Sequence, residues 1–405
     1  SMNQRELGEL RRRFRPEKSA ISRVYGCYVN SSREIIAYID QSLGLMPQEE
    51  AEKYLGLLKK ALSGTLGRNL IDIVFSTQQV ADSEEPVSYT HLRAHDSEEH
   101  RLLSALRTSE LKDAEARDAF YQQVIGSLDM GENNYLILLG ADAYDVPHRG
   151  KDGEVDRDAC EEVFRYFVCC VCPVKDGTPE LGYFHGENEF HISMEKQIVG
   201  QPELGFLFPA FDDRTANLYN ALFYSRKPDE LHQEFIDAVF RTEPPMSAAE
   251  QRETFQSALC GTLEGACSME VVQSVHDYLR QRIQEHKESR DPEPLAVTAG
   301  EVSGVLRNCG VPEERVEAFQ TACGQSFGEG ALTPANLIDA KHFAVKTADA
   351  TIQVDPERSY LVEARVIDGR RYLLVPADES VEVNGLGVRI AAAKDLSLIH
   401  ISEPT

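Results

Sequence analysis

A run of five apolar residues, Tyr135 to Leu139, is the feature that most constrains this chain. A run of this kind predicts a β-strand that is buried on both faces, and such a strand needs neighbouring strands and a cover of helices. Two later apolar runs, 164–174 and 205–212, are the expected neighbours in the same sheet. The first run is followed by Asp142 and Asp145. We therefore expect a candidate site where this strand leaves the core.

The length and charge of the chain limit the classes of protein that it can be. Its 405 residues exceed one ordinary hydrophobic core, so we expect two or three domains. The formal net charge of −25 repels phosphate backbones and argues against nucleic-acid binding. No apolar run reaches the roughly 18 residues of a membrane helix, and no signal peptide opens the chain. Nine cysteines without a framework spacing favour a reducing compartment, so we expect a cytoplasmic protein.

One dense basic cluster interrupts this acidic composition. Arg11, Arg12, Arg13 and Arg15 follow a charged segment that has the pattern of a helix, and Pro16 ends that segment. Because acidic residues lie beside the cluster, we interpret it as a solvated helix end rather than as a phosphate-binding patch.

Two stretches resemble a sequencing adapter left in assembled reads. The nucleotide string CTGTCTCTTATACACATCTCCGAGCCCAC encodes residues 396–405 in its first frame and residues 87–95 from its third base. The tetrapeptide before residue 86 recurs as residues 96–99, so removal of 86–99 restores a continuous chain. We therefore interpret 86–99 as an artefactual insertion and 396–405 as an artefactual tail. The helically spaced pair His91 and His95 is accordingly not considered as a metal site.

The remaining pattern predicts an α+β fold. A mostly antiparallel central sheet over residues 20–227 is flanked by helices, and a small C-terminal helical-plus-β module follows. Residues 148–158 are predicted to form a loop and 161–166 a short helix, while Pro209 suggests a sheet edge or a bulge. The predicted order is a main domain, a linker, a helical segment and a small β module, over residues 1–286, 287–296, 297–343 and 344–395.

Carboxylates cluster after the central strand. Asp142 and Asp145 are followed by four more acidic residues, Asp152, Glu154, Asp156 and Asp158. Carboxylates in such a place hold Mg²⁺ or Mn²⁺ in many phosphoryl-transfer enzymes. The alternative is an acidic loop that is simply solvated, as expected on an acidic protein.

Three cysteines, Cys169, Cys170 and Cys172, lie within the second apolar run. The first and last of them have the CxxC spacing of redox and zinc sites. In a strand, however, neighbouring residues alternate between faces, and buried cysteine is common. We therefore expect these cysteines to pack in the core. A zinc or metal role for His185 and His191, which flank a predicted hairpin over 178–192, is the weaker alternative there.

A second polar group follows the third apolar run. Asp212, Asp213 and Arg214 could bind an anionic or guanidinium-like substrate, and they could equally close a turn through local pairing. Together with Glu132, Asp142 and Asp145 they are the candidate catalytic residues of this chain, and Asp142 and Asp145 are the candidate metal ligands.

Several short segments together resemble a family of bacterial proteins, domain of unknown function 4317. The matching segments are residues 63–69, 131–135, 143–147, 172–174, 205–214 and 381–385. The resemblance covers most of residues 3–390 and departs from the family where 86–99 intervene. It implies a bacterial source and one unit along the chain, and it implies no activity, cofactor or site residue.

Two functional hypotheses follow from these observations. The first is a non-catalytic interaction or regulatory protein with a protein partner, since the chain has an acidic surface, a small β module suited to docking and no complete catalytic set. The alternative is a metal-assisted hydrolase or phosphoesterase that uses the six candidate residues with a divalent metal. Neither hypothesis requires a membrane, a nucleic acid or an organic cofactor, and the sequence leaves open whether the protein is an enzyme.

Overall fold

The computed structural model describes residues 1–17, 20–76, 98–149, 155–193, 196–328, 330–378 and 380–390, without the side chains of 148–149 and 155–161. Almost all of the predicted insertion 86–99, and the whole of the predicted tail 396–405, lie outside the described residues. The adapter hypothesis therefore stays a prediction. Asp152 and Glu154, and the side chains of Asp156 and Asp158, also lie outside the description.

One antiparallel sheet occupies the centre of the structure. The strands up to residue 225 are β1 (Arg23–Val29), β2 (Ile35–Ser42), β3 (Leu70–Val74), β4 (Asn134–Arg149), β5 (Val155–Asp176), β6 (Leu181–Phe184), β7 (Glu189–Ile192), β8 (Gln197–Val199), β9 (Leu204–Phe208), β10 (Ala210–Asp212), β11 (Thr215–Asn217) and β12 (Asn220–Ser225). The sheet order is β2-β1-β4-β5-β9-β12-β3, and β8 pairs with one end of β5. The strands β6 and β7, and likewise β10 and β11, form separate hairpins.

The central run is buried on both faces, as its composition predicts. Tyr135, Ile137 and Leu139 belong to one hydrophobic cluster, whereas Leu136 and Leu138 belong to a second cluster on the opposite face of β4. Because side chains alternate along a strand, only a continuous apolar run can supply both clusters.

Helices cover both faces of the sheet. They are α1 (Gln4–Arg11), α2 (Gln48–Lys60), α3 (Glu98–Thr108), α4 (Ala114–Ser127) and α5 (Gln233–Phe240). The first cluster packs under α3, α4 and α5 through residues such as Leu103, Phe120 and Phe235, and the second packs under α1 and α2 through Leu10 and Leu58. The α+β prediction with a mostly antiparallel central sheet is confirmed.

The region after the central run differs from the prediction. Residues 148–149 and 155–158 extend β4 and β5 where a loop was expected, and 161–166 continue β5 where a short helix was expected. Both expectations rested on the charged residues and not on the two-residue alternation of apolar side chains. Phe164 and Tyr166 are buried, while Val163 and Arg165 are exposed. That alternation is the signature of a strand with one solvated face.

The order of the neighbouring strands also needs a correction. The strand β4 lies between β1 and β5, so the phenylalanine-rich strand β9 is one strand further away, beyond β5. The expectation of a sheet edge at Pro209 is wrong because β9 lies between β5 and β12. The strand ends at Phe208, before a cis peptide bond to Pro209, so no ladder N–H is required from this proline.

The second half of the chain is helical. Its helices are α6 (Ala248–Leu263), α7 (Met269–Ser289), α8 (Ala299–Asn308), α9 (Glu313–Phe327) and α10 (Pro334–Leu337). A third hydrophobic cluster joins them, with Leu279 from α7 and Val302 from α8 on either side of the predicted linker. Hydrophobic packing thus groups α6 and α7 with the helices after that linker, and the domain boundary at residue 286 stays a prediction.

Short hairpins end the described chain, which confirms the C-terminal helical-plus-β module. They are formed by β13 (Phe343–Lys346) with β14 (Thr351–Val354), β15 (Glu363–Ile367) with β16 (Arg370–Leu374), and β17 (Val381–Val383) with β18 (Leu386–Val388). Asp368-Gly369 and Asn384-Gly385, dipeptides that favour tight hairpin turns, have positive φ at both residues, as such turns require. Among the described residues, the helices are too short or too polar to cross a membrane.

Candidate functional site

Asp142 lies on β4 under the N-terminal helix and is bound on both carboxylate oxygens. Arg13 donates two hydrogen bonds to it, from Nε to Oδ2 and from Nη2 to Oδ1, each of 3.0 Å. The hydroxyl of Tyr166 donates a third, of 2.7 Å, to Oδ2. The Asp142 side chain has no solvent exposure and that of Arg13 has 20%. This two-pronged geometry is the strong form of an arginine–carboxylate pair, and it occupies the oxygens that a metal would need.

The pair changes the ionisation of its neighbours. Burial opposes the charge of Arg13, but the hydrogen bond and the charge of Asp142 outweigh burial and raise the pKa of Arg13. Burial, followed by the negative charge of Asp142, raises the pKa of Tyr166 well above its ordinary value. Tyr166 therefore stays a neutral donor to the carboxylate at physiological pH.

Asp145 is placed on the other face of the same strand. The pairing of β4 with β5 is regular from Asn134 to Val146, so residues three apart point to opposite sides of the sheet. Asp142 is buried, whereas Asp145 is exposed. The structure does not bring the two predicted metal ligands together. In the described part of the chain, no group of three or more His, Cys, Asp or Glu side chains is arranged to hold a metal ion.

Arg214 is bound by the N-terminal helix. It follows Asp213 in the turn between β10 and β11, where both residues have positive φ. Its Nη1 donates to Glu9 Oε2 at 2.7 Å and its Nη2 donates to the carbonyl oxygen of Pro147 at 2.6 Å. Its backbone N–H donates to Glu6 Oε1 at 3.1 Å. The guanidinium is thus satisfied within the protein, by partners that are distant in the sequence rather than by the local pairing that the alternative expected.

The remaining candidates make no side-chain contact with Asp142. Asp212 Oδ2 accepts hydrogen bonds of 3.0 Å from the side-chain amide of Asn217 and from the amino group of Ser1. Asp213 and Glu132 are exposed. Glu132 precedes β4 at the end opposite Asp145, and the strand from Asn134 to Asp142 alone spans roughly 26 Å. Glu132 therefore shares no site with Asp142.

The N-terminal helix supplies the residues that sequence reasoning missed. Glu9 accepts a 2.6 Å hydrogen bond from the Tyr144 hydroxyl as well as its bond from Arg214, and Glu6 is also buried. Their positions in the sequence could have indicated this. The two carboxylates are three residues apart and adjacent to the buried residues Leu7 and Leu10, on the face of α1 that packs on the sheet.

The basic cluster was expected to be a solvated helix end, but two of its arginines bind other parts of the protein. Arg13 pairs with Asp142, and its guanidinium lies 4.7 Å from the centre of the Tyr144 ring. Arg11 donates to the backbone carbonyl oxygens of Leu62 and Gly64. Arg12 and Arg15 are exposed, whereas the other two arginines of the cluster fasten α1 to the rest of the protein.

The cysteines of β5 are core residues, as predicted. Cys169 belongs to one hydrophobic cluster and Cys170 and Cys172 to the other, and none of the three is exposed to solvent. Burial raises the pKa of the Cys169 and Cys170 thiols well above the ordinary value. On the β6–β7 hairpin, His191 Nε2 contacts Glu187 at 2.5 Å.

The next feature is the cavities of the described surface. Four of them, with volumes of about 290 to 970 Å³, are lined by residues other than the six candidates. Since catalytic groups normally converge in a concave pocket, the hydrolase hypothesis gains no support from this geometry. It stays a prediction.

One of the unpartnered hairpins is an arm near the end of the described chain. We use "the arm" for residues 363–374, which form β15, its turn and β16. Every residue of β15 is exposed, including Val366 with 70% of its surface accessible. Tyr372 on β16 is 42% exposed. Among the described strands, β15 and β16 pair only with each other, so each has an open edge.

The fold and these contacts define a mixed α+β protein in which buried ion pairs fasten an N-terminal helix to an antiparallel sheet. The family model of Domain of unknown function (DUF4317) matches residues 2–386, and the chain belongs to this family. No curated protein and no solved structure matches it.

Proposed function

We propose that this chain is a non-catalytic protein-interaction protein, and that the arm binds an acidic, extended segment of a partner protein. The observation that carries the proposal is a two-stranded hairpin with apolar side chains exposed and both edges open. An isolated hairpin of this kind is only marginally stable in water, and an open edge readily accepts a further strand. Strand addition is a common mode of peptide recognition.

The base of the arm is held firmly. Gln273 on α7 donates hydrogen bonds from Nε2 to the carbonyl oxygens of Ser359 and Val362, at 2.8 and 3.3 Å. Ser359 and Val362 are 1% and 2% exposed. The arm thus extends from a fixed point, which lowers the entropy that a partner must remove on binding.

Charge indicates the chemistry of the partner. The arm contains three arginines against two carboxylates, a net charge of +1 in a chain of net charge −25. Arg365 is paired with Glu363 at 2.6 Å. Arg370 and Arg371, directly after the turn, make no ion pair with any described residue. A partner segment with aspartate or glutamate beside apolar residues complements this surface.

The candidate carboxylates support the non-catalytic part of the proposal. Asp142 and Glu9 are buried acceptors for Arg13 and Arg214, respectively. Their oxygens are engaged by donors of the protein itself, which supports a structural role for both carboxylates.

A site-specific cross-linking experiment tests the proposal. A photoreactive phenylalanine analogue is introduced at Tyr372, and in a matched control at Tyr219, which is 46% exposed on the sheet unit. Both proteins are irradiated in a lysate of the source organism, and a protein captured at 372 alone is then purified and its binding measured. We expect an acidic segment of that protein to bind the wild-type chain, and the double variant Arg370→Glu/Arg371→Glu to lose at least tenfold in affinity.

Three outcomes would contradict the proposal. They are the absence of a capture specific to position 372, capture of a second copy of this chain, and unchanged affinity of the charge-reversed variant. Circular dichroism of each variant checks that the fold is retained. We expect it to be retained because the substituted residues are exposed.

A further inference from the structure

Two thiols face each other at the corner between α6 and α7. Cys260 lies in the last turn of α6, and Cys267 lies just before Ser268, the residue that caps α7. Their Sγ atoms are 3.8 Å apart. Cys260 is exposed and Cys267 is half-buried.

We propose that Cys260 and Cys267 are a redox-active dithiol that closes to a reversible disulfide when the protein meets a peroxide. A disulfide needs an S–S distance of about 2.05 Å, so the sulfurs must approach by somewhat under 2 Å. The segment between them contains the core residue Leu263 and then a short 3₁₀ turn, Glu264–Ala266, whose residues are exposed or half-buried. This turn can absorb the displacement while Leu263 stays in the core.

The chemistry balances with the peroxide as the two-electron oxidant. The Cys260 thiolate attacks one peroxide oxygen, the O–O bond breaks, and the other oxygen leaves as an alcohol or as water after it takes up a proton. The sulfenic acid formed at Cys260 is then attacked by the sulfur of Cys267, which loses its proton as water departs. Two thiols and one peroxide give one disulfide, one alcohol or water, and one further water.

The order of events follows from exposure. Cys260 is the more accessible sulfur and reacts first. Burial, and then the proximity of Cys260, raise the pKa of Cys267 to about 11, which keeps it a thiol at neutral pH. Since the thiolate is the nucleophile, closure becomes faster as the pH rises toward that value.

A second close pair shows why accessibility matters. Cys170 Sγ and Cys172 Sγ are 3.9 Å apart, but both lie in the core on the same face of β5 with no exposed surface. A peroxide cannot reach them while the protein is folded. Cys309 is exposed but has no described thiol beside it, so it is replaced in the experiment to prevent links between molecules.

Closure would fix the corner of the helical unit. The bond would join the end of α6 to the start of α7, and both helices contribute to the third hydrophobic cluster. A cross-link removes conformations from the unfolded chain, so the oxidised protein should unfold at a higher temperature.

The experiment uses the full chain with Cys309→Ser, treated with hydrogen peroxide and then with an alkylating reagent. We expect the intact protein to lose two hydrogens, peptide mapping to show a link between positions 260 and 267, and dithiothreitol to reverse both the link and a rise in Tm. Cys260→Ser, a change of similar size at an exposed position, should abolish the link and the rise in Tm.

Two results would overturn the proposal. One is alkylation of both thiols to the same extent before and after peroxide treatment. The other is a disulfide that maps to another cysteine pair in the folded protein. Cys267→Ser should give a sulfenic acid at Cys260 that dimedone traps, and its absence would show that Cys260 is not the reacting sulfur.

Discussion

Arg13 and Asp142 are 129 positions apart in the sequence and are joined by two hydrogen bonds of 3.0 Å. Asp142 is fully buried, and its charge is compensated by a guanidinium from the segment that directly follows α1. A second pair, Arg214 with Glu9, joins the same helix to the β10–β11 turn. Asp142, which looks catalytic in the sequence, and Glu9 therefore hold an N-terminal helix in place.

The close approach of β1 to β4 makes Gly26 a sensitive position. A Cβ atom on Gly26 would lie 2.1 Å from the backbone oxygen of Ile137, so Gly26→Ala must displace the central strand. We expect it to lower the free energy of unfolding by about 3 kcal/mol or more. Gly56→Ala is the matched control, because nothing lies within 4 Å of that position on α2. It should raise the free energy of unfolding by about 0.5 to 1 kcal/mol. Urea unfolding of both variants checks this, and an equal effect of the two would be inconsistent with the strand pairing.

The attachment of the arm depends on Gln273. Its amide is the side-chain link from α7 to the carbonyl oxygens of Ser359 and Val362, so Gln273→Ala should loosen the base of the arm. We expect faster hydrogen exchange over residues 356–374, measured by mass spectrometry, with the sheet unit unchanged. Gln281→Ala, on the same helix, removes only a surface bond of 2.7 Å to Glu285 and should leave exchange in the arm unaltered. Identical exchange in the two variants would show that Gln273 does not hold the arm.

The start of α8 should give the chain part of its acid sensitivity. The carboxylate of Glu301 accepts the backbone N–H of Thr298 at 2.7 Å and a bond of 2.8 Å from Arg282, and these contacts lower its pKa below the ordinary 4.5. A carboxyl group whose pKa is lower in the folded than in the unfolded chain stabilises the fold at pH values above its unfolded-state pKa. That contribution is lost as the pH falls through its folded-state pKa. The stability difference between wild type and Glu301→Gln should thus be largest near neutral pH and shrink below about pH 4.5. A difference that stays constant down to pH 3 would refute this account of Glu301.

The sequence predicts the central strand well because burial on both faces demands an uninterrupted apolar run, and Tyr135 to Leu139 is such a run. It also predicts the turns at Gly369 and Gly385, where local residue preferences determine the backbone. The continuation of β5 through Phe164 and Tyr166 could also have been predicted, because apolar and polar residues alternate there.

The ion pairs were not predictable in this way. No local pattern links Arg13 to Asp142 or Glu9 to Arg214, because each pair forms only when α1 packs on the sheet. Charge near a strand end was therefore interpreted as a candidate metal site, although the two-residue period places Asp142 and Asp145 on opposite faces.

The most direct test of a structural role for Asp142 compares Asp142→Asn with Asp145→Asn, with unfolding measured in urea with and without Mn²⁺. Removal of the charge that pairs with Arg13 should lower the free energy of unfolding by about 3 kcal/mol. The exposed Asp145→Asn should change it by less than about 0.5 kcal/mol, and Mn²⁺ should leave the wild-type value unchanged. If Mn²⁺ instead stabilises the wild type and both variants abolish that effect equally, the two carboxylates share a metal and the structural account is wrong.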